Sequence, residues 1–455
     1  MSAERLSALD ASFLAVERPT APMHVGWVAL FDPPEHARRP TFDDLATHIA
    51  GRLGDAPRYR QRLADVPLDV HDPVWVDAEE FDPGDHLLYG GARTLEELID
   101  EVFSTPLARD RPLWEMWIAP DQPDGRIAMV GKAHHCMVDG IAALQLANLL
   151  LDREPGSYNG HASNGWSPAP APTPRERLAR AVAERAEDSA QLALAPLKIA
   201  GSPRRLLGVP AATRRGVRTL AHMVLPPARS SLLNRPSSPE RHLERVSCPV
   251  DDLRDVRRRF GVTLNDTFLA VCAGALRRFA LRRGEEPRPL KALVPVDVRT
   301  AADAAGTGNR ISFLFVELPC DQPDPLVRLM TVHRETARRK RDGEAADTDA
   351  ALRALALTPK PVQRALAQAV AHPRLFNLVV SNLPGPALPL YLRGCRLREL
   401  HPAVPLADRH ALSIGVATVA GRACFGLYAD AVSLPDSDAL AADLDASIDE
   451  LVAAA

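Results

Sequence analysis

The chain has 455 residues, of which 46% are hydrophobic and 25% charged, and it carries a net charge of -3. That length exceeds one ordinary core and predicts two domains or one large two-lobed unit with room for a site between its halves. The average composition excludes a disordered or integral-membrane class, and the near-balanced charge gives no expectation of nucleic-acid binding.

Met1 to Arg5 lacks a basic region followed by an apolar signal core, and no run of about eighteen apolar residues follows anywhere, so a cytoplasmic location is the default expectation. The first 155 residues have an α/β texture: Val25 to Phe31 reads as a strand and Leu95 to Phe103 as a helix. Ile127 to Gly131 reads as another strand, and Ile141, Leu144 and Leu149 have helical spacing. Between them lies His134-His135-Cys136-Met137-Val138-Asp139-Gly140, which is expected in the turn joining strand to helix. Such a turn presents a side chain into a cleft from rigid supports.

The chemistry of that heptapeptide points to His135. A neutral imidazole, with an ordinary pKa of about 6.5, takes a proton near neutral pH and returns it to a leaving group. His134 is read as supporting, Asp139 as a structural carboxylate suited to pairing with an arginine, and Gly140 as a backbone position closed to larger residues. Two alternatives stay open. The adjacent histidines and Asp139 are metal-ligand types, but neighbours in sequence point apart and no second pair stands at a known spacing. Cys136 is a thiol beside a histidine, but a small buried thiol explains it as well. The six cysteines show no C-x-x-C spacing and read as reduced thiols, so neither a metal site nor a disulfide framework is expected.

From Arg153 to Pro174 the composition turns to Gly, Ser, Asn and Pro, predicting a boundary without regular structure. Residues 175 to 197 have helical propensity, and Lys198 to Arg235 contains eight basic residues and no acid. The segments are therefore 1–155 as a first lobe, 156–240 as a linker and helical crossover with a flexible part, and 241–455 as a second lobe. In the last of these, Leu264 to Phe279 reads as a helix and Leu290 to Val298 and Ile311 to Leu318 as strands. Ala411 to Ala420 and Ala423 to Asp430 read as paired strands turning at Gly421-Arg422.

The run His134-His135-x-x-x-Asp139-Gly140 resembles the signature of the chloramphenicol-acetyltransferase-like superfamily. Surrounding blocks narrow the resemblance to bacterial wax ester synthase/diacylglycerol acyltransferases: Leu6 to Phe13, Pro22 to Gly26, Pro112-Leu113-Trp114, Asn265-Asp266 and Ser381 to Pro386. The blocks keep the family's order over nearly the whole chain. Cys136 departs from the small residue common there, and the D-F-G-W-G block of plant relatives is absent.

The resemblance implies an α/β fold of two chloramphenicol-acetyltransferase-like lobes, with mixed sheets flanked by helices and a tunnel between them open at both ends. It implies direct transfer from acyl-CoA, a co-substrate and not a cofactor, to diacylglycerol or a long-chain alcohol, with His135 as general base. Asn265, Ser381 and Asn382 become candidates for the oxyanion donor or for substrate binding, and Arg299 for the partner of Asp139; Asn265 is read equally well as a helix cap, and Pro112-Leu113-Trp114 as a packing element. Alternatives are a hydroxylated specialised metabolite or polyketide lipid as acceptor, or a non-catalytic lipid-binding or condensation-like protein. The basic connector is a candidate for peripheral docking on anionic membrane or a lipid droplet, set against a solvated linker or contacts to CoA phosphates.

Overall fold

The computed structural model describes residues 3–34, 37–91, 93–138, 140–156, 166–200, 227–297, 311–356, 358–383, 385–386 and 388–455. The first sheet is built from strands β1 (His24–Asp32), β4 (Leu87–Tyr89), β5 (Trp114–Ala119) and β6 (Ile127–His134), joined by β11 (Tyr391–Leu392) and β12 (Cys395–Ala403) in the order β11-β12-β1-β6-β5-β4. Strands β2 (Gln61–Ala64) and β3 (Val74–Asp77) form a separate pair. Helices α1 (Ala8–Val16), α2 (Phe42–Leu53), α3 (Leu95–Ser104) and α4 (Gly140–Leu150) belong to the same half of the chain. Helix α3 starts where Thr94 and Glu97 form a reciprocal capping box, and it buries Leu98, Ile99, Val102 and Phe103 at helical spacing.

A long helix, α5 (Pro174–Ala200), follows, matching the helical expectation for residues 175 to 197. The second sheet has the order β7-β14-β13-β10-β8-β9. Its strands are β7 (Arg241–Pro249), β8 (Leu290–Asp297), β9 (Ile311–Leu318), β10 (Leu378–Leu383), β13 (Leu412–Val419) and β14 (Arg422–Asp430). Its helices are α6 (Val250–Phe260), α7 (Leu264–Arg282), α8 (Pro325–Arg341), α9 (Glu344–Ala356), α10 (Lys360–Val370) and α11 (Ser437–Ala454). Strand β10 runs parallel to β8 and β13 while β7, β9 and β14 pair antiparallel with their neighbours, so the sheet is mixed. Two lobes result, each with its own apolar core.

Two expectations need correction. Residues 391–403 fall in the segment expected to form the second lobe, yet β11 and β12 cross over and β12 pairs with β1 across Gly26↔Ala403 to Asp32↔Arg396. The crossing lets β12 bridge the sheets. A Cβ at Gly426 would stand 2.1 Å from the Pro402 carbonyl oxygen, so only glycine admits this approach. The hairpin turn is Ala420-Gly421 and not Gly421-Arg422: both turn residues have positive φ, 49° and 79°, as a two-residue primed turn requires, and Arg422 already pairs with Val419. Of the basic connector, residues 201–226 lie outside the described residues. No helix among the described residues is long and apolar enough to cross a membrane.

A buried arginine of the second lobe, ion-paired within that lobe, reaches across to the first. Arg241, at the start of β7, donates to the Thr20 carbonyl at 2.7 Å and lies 3.4 Å from Asp430 Oδ2, both side chains being almost fully buried. Removing one partner leaves an uncompensated buried charge, so Arg241→Ala should lower the free energy of unfolding by about 3 to 5 kcal/mol. Denaturant titration of the variant checks this, and a midpoint equal to wild type would contradict it.

Candidate active site

Strand β6 runs three residues beyond the expected Ile127 to Gly131 and ends on His134, which is wholly buried. The chain then leaves the sheet in a turn over His135, Cys136 and Met137, and α4 begins at Gly140. Both histidine backbones are pinned by the residues that lead into neighbouring strands. His134 N–H donates to the Leu113 carbonyl at 2.9 Å and His135 N–H to the Met23 carbonyl at 2.8 Å.

The His135 ring lies flat on Phe13 of α1, with ring centroids 3.7 Å apart and planes within 8°. Burial pushes its pKa down to about 4; the carbonyl of His135 itself opposes the shift, and the neighbouring His134 adds to it. Burial likewise takes His134 down to about 3, with the Arg109 charge acting in the same direction. Both imidazoles are therefore neutral at pH 7. Burial drives the Cys136 thiol far above its ordinary range, which makes it an inert apolar filler and disfavours the thiol-nucleophile reading. Among the described residues no group of three or more His, Cys, Asp or Glu side chains is arranged to hold a metal ion.

Two cavities meet at His135. The larger, about 600 Å³, has charged side chains in its lining, among them Arg109, Asp69, Lys360 and Arg364. The smaller, about 250 Å³, is walled by Trp27, Phe31, Met129, Leu146 and Leu150. Phe13, His135, Pro295, Phe313, Val404 and Pro405 line both, so the junction draws on β8 and β9 of the second lobe as well as on α1 and the β6 turn. An imidazole at such a junction faces reactants arriving from two sides.

Ser381 and Asn382, on β10, share the smaller cavity with His135. Asn265 lines neither cavity; it sits in the first turn of α7. The cap of that helix is Thr263, whose hydroxyl accepts the Asp266 N–H at 3.1 Å while the Asp266 carboxylate accepts the Thr263 N–H at 2.9 Å, so the capping role belongs to Asn265's neighbours. Gly140 opens α4. Asp139 and Arg299, and with them the expected pair, lie outside the described residues.

The Pro112-Leu113-Trp114 block packs, as expected of it. Leu113 and Trp114 are fully buried, the Trp114 indole donates to the Tyr59 carbonyl at 2.7 Å, and its ring stacks on His86. Leu113 also supplies the carbonyl that holds His134. Sequence reasoning did not find the part played by Phe13. Its spacing in α1 marks an apolar helix face, and nothing local says that a histidine from residue 135 will lie on it.

Residues 6–268 match the wax ester synthase/diacylglycerol acyltransferase catalytic domain, and residues 307–452 match the WS/DGAT C-terminal domain. A Mycobacterium tuberculosis protein named a probable diacylglycerol O-acyltransferase is 32% identical over 460 residues, covering 98% of this chain and 96% of the relative. The wax ester synthase/diacylglycerol acyltransferase of Marinobacter aquaeolei superposes with a TM-score of 0.67 at 25% identity, covering 98% of each chain. The starter condensation domain of rhizomide synthetase shares the fold, with a TM-score of 0.56 at 17% identity, covering 100% of this chain and 95% of that one.

Proposed function

The chain belongs to the wax ester synthase/diacylglycerol acyltransferase family, and on that premise we propose that it carries an acyl group from acyl-CoA to the hydroxyl of diacylglycerol or a long-chain alcohol, with His135 as general base. It is an O-acyltransferase. The observation that carries the finer reading is the neutral, ring-stacked His135 at the junction of two cavities.

Reactants entering from the two cavities meet at the imidazole, and holding them together removes the entropic cost of the encounter. His135 takes the hydroxyl proton as the alcohol oxygen bonds to the thioester carbonyl carbon. The tetrahedral intermediate then breaks its C–S bond, and the departing thiolate takes the proton back from the imidazolium. No acyl-enzyme is required. The negative charge on the carbonyl oxygen calls for a donor, and Ser381 and Asn382 are favoured over Asn265 because they share a cavity with the base.

The apolar walls of the smaller cavity and the name of the mycobacterial relative support a lipid acceptor over a polar one. With palmitoyl-CoA as donor, thiol release should be fastest with diacylglycerol or hexadecanol and slower with short alcohols. Release no faster than the acceptor-free blank for every alcohol would sink the reading, and a preference for short alcohols would overturn the lipid acceptor.

A further inference from the structure

Helix α1 carries two residues one turn apart that both reach the histidine pair. Phe13 covers the ring of His135. Glu17, four residues on and at the C-cap of the helix, meets His134. Its Oε1 accepts the Met23 N–H at 3.2 Å and also lies 3.2 Å from His134 Nε2. Its Oε2 pairs with the Arg109 guanidinium.

The tautomer of His134 follows from its other nitrogen. Nδ1 accepts the Cys136 N–H at 3.1 Å, so this neutral ring carries its proton on Nε2, the atom that faces Glu17. Met23, held by Glu17 through its N–H, presents the carbonyl that accepts the His135 N–H at 2.8 Å. One carboxylate oxygen thus touches both supports of the histidine pair. Glu17 lines neither cavity, so any influence on transfer passes through these contacts.

We propose that Glu17 is a positioning residue for acyl transfer, holding the Met23 peptide that seats His135 and setting its carboxylate against the Nε2 edge of His134. The proposal rests on the reading of His135 as the base. Its physical content is orientation: a base displaced by about 1 Å loses roughly a hundredfold in rate even when nothing it touches in the substrate has changed. The ion pair with Arg109 alone does not explain the placement, because the Arg109 side chain is 48% exposed and a pair with one partner half in solvent contributes little.

The test compares kcat and KM for palmitoyl-CoA in wild type, Glu17→Ala, Glu17→Gln, His135→Ala and the double variant Glu17→Ala/His135→Ala. Glu17→Ala should lower kcat by about tenfold to a hundredfold while KM stays within about threefold. Glu17→Gln keeps an oxygen that accepts from Met23 and stands beside His134, and should hold kcat within about threefold of wild type. In the His135→Ala background the loss of Glu17 should cost nothing further, since its effect runs through the base. Glu17→Met replaces Glu17→Ala if the latter does not fold.

A wild-type kcat in Glu17→Ala or Glu17→Met, beside an inactive His135→Ala, overturns the positioning role and leaves the base intact. Equal losses in Glu17→Gln and Glu17→Ala overturn it too, by tracing the effect to the charge opposite Arg109. Full activity in His135→Ala instead overturns the reading of the base itself.

Discussion

Replacing His135 with alanine is expected to lower acyl transfer by about 10² to 10⁴ while the protein stays folded, the usual contribution of a positioned base. The ring is the part that matters. Its backbone N–H bond to Met23 survives the substitution, and the space it vacates adjoins cavities already present on both sides. Far-UV circular dichroism and the melting temperature should therefore stay close to wild type. His134→Ala should behave the other way round: a smaller loss in turnover but a larger loss in stability, because it removes a fully buried ring and strands the Cys136 N–H. Released thiol from palmitoyl-CoA in the presence of hexadecanol or diacylglycerol measures the first effect and thermal melts the second. Wild-type turnover in both variants at neutral pH would remove histidine from the chemistry.

How much of this site was legible in the sequence depends on how local each contact is. The strand, turn and helix that carry His135 are written in one stretch of residues, where alternation gives way to helical spacing, and the observed β6 and α4 follow that pattern with a strand only three residues longer. The helices at Leu95 and Leu264 are equally local, since each is announced by a Thr cap with an acid three residues later. Strand β12 is different. Its alternation, Cys395-Arg396-Leu397-Arg398, is plain enough, yet nothing in it says that the strand joins the sheet of the other lobe. The same limit applies to Phe13 and Glu17, whose histidine partners stand more than a hundred residues away. Asn265 is a different case: the resemblance makes its amide a candidate donor and its place before a helix suggests a cap, while the structure gives the capping to Thr263 and Asp266 and Asn265 lines neither cavity.

The burial that keeps His135 ready to accept a proton should also make the fold sensitive to acid. His24, His134 and His135 form one cluster: His24 and His134 pair across β1 and β6, with ring centroids 6.2 Å apart. Burial lowers all three, His134 to about 3, His135 to about 4 and His24 well below its ordinary 6.5. Their pKa values are thus lower in the folded state than in the unfolded one. The stability they contribute is fully present above about pH 6.5 and is lost as pH falls from there toward 4, because the unfolded chain binds protons that the folded one refuses. These three groups alone give a slope of up to about 4 kcal/mol per pH unit, and His48, His86 and His410, also lowered chiefly by burial, act in the same direction. Against a typical stability of about 5 to 15 kcal/mol, that is enough to unfold the protein between about pH 5 and 4. His242 does not offset it. Held up at about 10 by Asp100 and Glu244, it keeps its contribution below 6.5 and loses it only as pH rises. Glu399, lowered to about 2 chiefly by its hydrogen bond with His401, adds its own loss only below about pH 4.5. Denaturant titrations at pH 7, 6, 5.5 and 5 should show stability falling ever more steeply, and His24→Gln should flatten the slope by up to about 1.4 kcal/mol per pH unit. Within the folded range, kcat/KM should show no acid limb near 6.5, since His135 remains unprotonated there. A stability that stays level from pH 7 to 5, or a kcat/KM that halves near 6.5 while the protein is still folded, would mean that the histidines titrate at their ordinary pKa, and that the base is not held in a dry site.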